Sequence, residues 1–122
     1  MATLSPTLTL SSTDLSGDEL SLSVSDSLTV AGGAVNFQVI TSGTGTVFAA
    51  AANYSKSYVF LQNLATDASH IYTIEKADGG DEYMTLGAGE FAFFPWAASV
   101  DLAVDAAAGT SAMEVRIYQA AS

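Results

Sequence analysis

His70, in the stretch SHIYTIEK, is the only side chain in this sequence whose ordinary pKa suits acid–base work near neutrality. As a catalytic base it would need a nucleophile or a carboxylate converging with it in a pocket. Alternation along a strand places it with Tyr72 and Ile74, or at the strand's start, which is equally the position of a hydrogen-bonded β histidine. The chain has no cysteine, so a thiol nucleophile, a disulfide and a thiolate metal site are all excluded. It holds no GxSxG elbow, no phosphate-binding P-loop and no HExxH pair, and SGTGT around Gly43 and Gly45 reads as a turn. The inventory points to a protein that is not an enzyme, with no catalytic residue.

The carboxylates form two local groups, Asp78, Asp81 and Glu82 in KADGGDEY and Asp18 and Glu19 in SGDEL. A hard cation wants several oxygens converging from a flexible loop. These groups lack the D-x-D-x-D-G spacing of a calcium loop, and a hairpin turn with acidic flanks accounts for the first of them. No metal and no cofactor are therefore expected. A glycosidase would need two carboxylates flanking a cleft, and nothing in the sequence indicates one. Asn53-Tyr54-Ser55 fits a glycosylation sequon, a triplet common by chance.

Charge narrows the partners. Thirteen acids face three bases, Lys56, Lys76 and Arg116, for a net charge of −10. Nucleic-acid binding rests on Lys and Arg neutralising phosphates, and an anionic membrane would repel this chain, so neither is an expected partner. The opening MATLSPTLTL has no basic region and no long apolar run, so it does not read as a signal peptide, and synthesis in the cytoplasm is expected. Apolar residues make up 49% of the chain and charged residues only 13%, which leaves Ser, Thr, Asn and Gln to form most of the surface of a packed domain.

The elements behind these residues read as β almost throughout. In ELSLSVSDSLTV, Leu20, Leu22, Val24, Leu28 and Val30 hold every even position but one, predicting a strand with one buried face and Ser and Thr outside. Asp26 interrupts the row, which predicts a bulge, a bend or a break into two strands. Leu4, Leu8 and Leu10 share the even register, and Pro6 makes that segment an edge strand or two short pieces. Further strands are predicted at 35–41, 46–50, 57–63, 70–76, 82–86, 90–96, 99–105 and 113–119, with glycine-rich or polar turns between them. Residues 49–52 favour a helix but are too few to hold one. The expectation is a single all-β domain over residues 1–122, a jelly-roll-like β-sandwich of about eight to ten short antiparallel strands.

The segment GEFAFFPW is the most aromatic in the chain. Alternation puts Phe91 and Phe93 on one face and Phe94 and Trp96 on the other, and Pro95 marks a strand end or a sheet edge. One face belongs to the core. The other is expected to be covered by a neighbouring subunit, because exposed aromatic edges aggregate and interface cores are rich in aromatics and poor in charge. Phe91, Phe93, Phe94, Pro95 and Trp96 are the candidate interface residues, with Phe94 and Trp96 expected on the covered side.

The run from Tyr58 to Trp96 resembles a pattern found in small virion structural proteins of tailed phages, marine and cyanobacterial ones especially. It is carried by Tyr58 to Asn63 (YVFLQN), His70 to Ile74 (HIYTI) and Leu86 to Pro95 (LGAGEFAFFP). The Ser/Thr-rich opening has the same flavour. The resemblance implies a β-sandwich in the virion, most simply a capsid decoration or cement protein that forms a homo-oligomer such as a trimer and binds the major capsid protein. A tail or fibre component is the alternative within that class. A glycan-binding module using Tyr54, Tyr58 or Trp96 is the alternative outside it, and it requires Trp96 to be open to solvent.

Overall fold

A computed structural model describes residues 2–14, 20–31, 36–40, 45–77, 81–106 and 112–121. The fold is all-β, with antiparallel pairing throughout. The chain's contacts divide into two compact units, Met1–Gly32 with Ala121–Ser122, and Gly33–Ala120.

The first unit is two short two-stranded ribbons. β1 (Ala2–Leu4) pairs with β4 (Leu28–Val30), and β2 (Thr7–Ser12) pairs with β3 (Leu20–Ser25). The breaks predicted at Pro6 and Asp26 occur, and they face each other: the Asp26 amide donates to the Pro6 carbonyl at 3.2 Å, and the Asp26 carboxylate accepts from the Ser27 amide at 2.7 Å. Period two also holds, since Leu8 lies opposite Val24 and Leu10 opposite Leu22. The expected burial does not hold. Val30 is buried and Leu28 half-buried, but Leu22 is 42% and Val24 53% exposed, and Ser21 and Ser23 are exposed as well. A two-stranded ribbon has no second layer of its own to cover its apolar face. The side chain of Leu20 lies outside the described residues.

The second unit is a sandwich of two four-stranded sheets. Its strands are β5 (Asn36–Ile40), β6 (Thr46–Ala49), β7 (Ser57–Asn63), β8 (Tyr72–Lys76), β9 (Glu82–Leu86), β10 (Phe91–Trp96), β11 (Leu102–Ala106) and β12 (Met113–Gln119). One sheet runs β10-β7-β12-β5 and the other β6-β11-β8-β9. The order follows from one nested plan. First pairs with last (β5 with β12), second with second-last (β6 with β11), third with third-last (β7 with β10), and the middle two with each other. A long hairpin of paired strands rolled into two layers is the jelly roll, which the short strands predict only as a likeness. Residues 51–53 form one 3₁₀ turn rather than a helix.

The core between the sheets is built by alternation. Val59 and Leu61 of β7 and Met113, Val115 and Ile117 of β12 face Tyr72 and Ile74 of β8 and Leu102 and Val104 of β11. Tyr72 is almost wholly covered, and its hydroxyl donates to the Ile40 carbonyl at 3.1 Å. Burial of the ring pushes its phenol pKa up.

On the second sheet, three carboxylates crowd together. Glu75 lies opposite Glu82, next to a bulge, and interacts with Asp105 on β11. Burial, then the hydrogen bond to Asp105 and the negative charges of Asp105 and Glu82, push the Glu75 carboxyl above its usual range. A carboxyl raised in the folded state binds its proton more tightly there. Its contribution is complete below the unfolded pKa and is lost as pH rises through the folded value. Glu75→Gln is therefore expected to melt higher than the parent at neutral pH, with the gap closing as pH falls to about 4. Thermal unfolding across that range checks this, and a gap independent of pH would refute it.

Candidate functional site

Strand β10 decides which aromatics are presented. Its partner β7 sends Val59 and Leu61 inward and Tyr58, Phe60 and Gln62 outward, and the pairing fixes the phase of GEFAFFPW. Phe91, Phe93 and Pro95 lie opposite Gln62, Phe60 and Tyr58 and face outward, while Ala92, Phe94 and Trp96 face inward. The expectation of a subunit over Phe94 and Trp96 is thereby corrected. Trp96 is 6% exposed within the single chain and belongs to the core, with Phe94 half-buried against it. Its indole N–H donates to the Val100 carbonyl at 3.2 Å, and its ring meets Tyr54 edge-on at 5.7 Å. The loop that supplies this carbonyl holds Ala98 at φ 59°, in the left-handed region.

The surface left open is the other one. Phe91 is 59% and Phe93 39% exposed. Phe93 stacks on Tyr58, with ring centres 6.3 Å apart and planes 14° from parallel, and the Lys56 ammonium sits 5.6 Å from the centre of the Tyr58 ring. Pairing extends the rows across the sheet, through Phe93, Phe60 and Arg116 and through Pro95, Tyr58 and Tyr118. Arg116 is held by Glu114 at 2.5 Å. Two of the three cations of the chain thus lie on this face, amid its aromatics. The arrangement can dock an apolar or aromatic surface, with cation–π contacts at its margin.

The residues singled out for chemistry are scattered. His70 ends a polar loop, and its Nε2 lies 3.9 Å from the Asp67 carboxylate. Asp67 accepts from the Ser69 amide and hydroxyl, which hold its carboxyl below the usual range, and its side chain is exposed. The His70 carbonyl, rather than its ring, makes the well-placed contact, accepting from Asn63 at 2.8 Å. Asp18, Glu19, Asp78 and Gly43 lie outside the described residues. The Asp81 carbonyl accepts from the Lys76 amide, and the Gly45 amide donates to the Asp105 carboxylate. Asn53 closes the 3₁₀ turn, and Tyr54 is taken up by Trp96. Among the described residues, no group of three or more His, Asp or Glu side chains is placed to hold a metal ion.

Sequence reasoning missed a cleft between the edge strands β9 and β10, of about 390 Å³, whose lining includes Tyr83, Met84, Phe94 and Trp96. The signal available for it was the concentration of large apolar residues on both sides of the β9–β10 turn. No protein-family model, no curated protein and no solved structure matches this chain.

Proposed function

We propose that this chain is a non-enzymatic structural protein of a phage particle, a decoration protein that docks on the head shell and on its own copies. The outward patch of Phe91, Phe93 and Tyr58 carries the reading, because apolar rings grouped on the outer face of a sheet mark an interaction surface. The fold supports it as analogy: jelly rolls serve as viral capsid domains and as lectins. A surface low in Lys and Glu orders cheaply in a dense array, and the acidity keeps the chain off the genome. The resemblance of the segment from Tyr58 to Trp96 to tailed-phage virion proteins points the same way, with a tail or fibre position as the variant. A glycan module needs open ring faces. Trp96 is buried, and Tyr58 is stacked on by Phe93 and approached by the Lys56 ammonium, so docking on protein is preferred.

Mass spectrometry of purified particles tests the assignment, and a fixed ratio to the major shell protein is expected. The double substitution Phe91→Ser/Phe93→Ser is expected to lower stability by only about 1–2 kcal/mol, since Phe91 is mostly exposed and Phe93 gives up its stacking on Tyr58. Loading on particles should fall roughly thirtyfold or more, as for loss of an interface hot spot. Undiminished loading would overturn the assignment of this face.

A further inference from the structure

The outward face of the sheet β10-β7-β12-β5 carries a charge pattern opposite to that of the whole chain. Thirteen acids outnumber three bases overall. On this face stand Lys56 and Arg116, and among the described carboxylates its outward rows hold Glu114 alone. Glu114 is taken by Arg116, and Glu90, beside Phe91, is turned to the Gly87 amide. Lys56 forms no ion pair among the described residues. Its ammonium stands 5.6 Å from the centre of the Tyr58 ring, which in turn stacks on Phe93. Its backbone is pinned to the sheet, since the Lys56 carbonyl accepts from the Ala120 amide at 2.8 Å. A cation without a carboxylate, at the margin of exposed stacked aromatics, is half of a recognition site. We infer that this face docks a different protein, whose surface sets a side-chain carboxylate against Lys56 and an aromatic ring against Phe93.

Charge complementarity selects this occupant. A polyanion such as nucleic acid is held by several cations at once. This face offers Lys56 and an arginine that Glu114 already engages. A second copy laid face to face adds two more cations and only Glu114, which Arg116 holds in that copy as well. A second copy docked by its acidic side brings a further net charge of −10 with each contact, and repulsion grows with every copy added. A partner that is not itself strongly acidic, with one carboxylate placed beside an apolar ring, answers Lys56 without that repulsion. Spacing then sets the motif. Residues two apart on an extended strand lie on one face, about 6.6 Å from each other. That step matches the 5.6 Å from Lys56 to the Tyr58 ring and the 6.3 Å from Tyr58 to Phe93. An acid two residues from an aromatic on one extended segment therefore reaches Lys56 while its ring covers the Phe93–Tyr58 pair.

The inference rests on the docking reading of this face and names the chemistry of what docks. The test is titration of the full chain with acetyl-Phe-Ser-Asp-amide and with its Asn and Lys counterparts. It is run in about 0.15 M salt, where exposed charges beyond about 8 Å are largely screened. NMR signals of the Lys56 side chain and of the Tyr58 and Phe93 rings report binding at the face. The Asp peptide is expected to bind with a dissociation constant on the order of 1–10 mM, about threefold tighter than the Asn peptide and about tenfold tighter than the Lys peptide. Lys56→Met, at an exposed position, should fold like the parent and lose the preference, whereas Lys56→Arg should keep it. Equal affinity for the three peptides overturns the inference. So does a preference that survives Lys56→Met, or the absence of any shift up to about 20 mM peptide. Movement of the same ring signals with the chain's own concentration would make a second copy the occupant and overturn it as well. A chain that loads on particles but shows no peptide preference would sink this inference and leave the particle assignment standing. The preference in a chain that is absent from particles would do the reverse.

Discussion

Trp96→Ala is expected to destabilise the second unit by about 3–5 kcal/mol, the usual cost of emptying a buried aromatic site. Trp96 is 6% exposed, it meets Tyr54 edge-on, and its N–H bonds the Val100 carbonyl. The cavity left behind would open into the cleft it already borders, and its cost depends on how far the walls collapse around it. Trp96→Phe keeps most of the packing but leaves the Val100 carbonyl without its donor, and should cost less, about 1–2 kcal/mol. Chemical denaturation followed by circular dichroism checks both, since the substitution removes the chain's one tryptophan fluorophore. A variant that keeps its stability within about 1 kcal/mol and loses only assembly would return Trp96 to an interface.

That reversal shows how far the sequence could be read. The residues that stop strands act locally, so Pro6 and Asp26 mark their breaks without help from the fold. Alternation is equally local. It separates Phe91 and Phe93 from Phe94 and Trp96 and puts Leu8 and Leu10 in one row, as it does Leu22 and Val24. Which face is the inner one is not local. For β10 it is set by β7, whose compact Val59 and Leu61 go inward and turn Tyr58 and Phe60 outward. Phe94 and Trp96, expected under a neighbouring subunit, follow Val59 and Leu61 into the core. For β3 the even residues have no second sheet in their own unit, so their pattern gives a real face that is not a core face. Apart from the central β8–β9 hairpin, the nested pairs join residues 29 or more apart (Phe91 with Gln62, 91 − 62 = 29), such as Val59 with Phe94 and Val115 with Gln38, and no local pattern encodes them. The cleft follows from that order, since it forms where the two sheets end on the edge strands β9 and β10.

Asn63→Ala is expected to cost about 2–4 kcal/mol, although it removes only a small polar group. Asn63 ends β7 with its side chain fully buried. Its Nδ2 donates to the His70 carbonyl at 2.8 Å and to the Leu86 carbonyl at 2.9 Å, and its Oδ1 accepts from the Ala65 amide at 3.0 Å. Its backbone also exchanges bonds with the β9–β10 turn, donating to Glu90 and accepting from Gly89, both at 2.9 Å. One residue thus ties the loop after β7, the end of β9 and the turn that launches the exposed aromatic strand. Gly89, at φ 79°, supplies the left-handed step that aims its amide at Asn63. Truncation removes the side-chain partner of two carbonyls and an amide, and the bond to Leu86 lies where water does not reach. Asn63→Asp separates this account from simple loss of volume. The carboxylate has the same shape but no donor, and it faces two carbonyls, so its pKa is raised in the folded state. A proton restores one donor, and the variant should therefore recover stability as pH falls through that raised value, whereas Asn63→Ala should not. Denaturation at neutral and mildly acidic pH, with hydrogen exchange of residues 64–71, reads both effects. Equal pH dependence in the two variants, or a cost for Asn63→Ala below about 1 kcal/mol, would mean that water replaces the side chain and that the aromatic strand is held by its pairing with β7 alone.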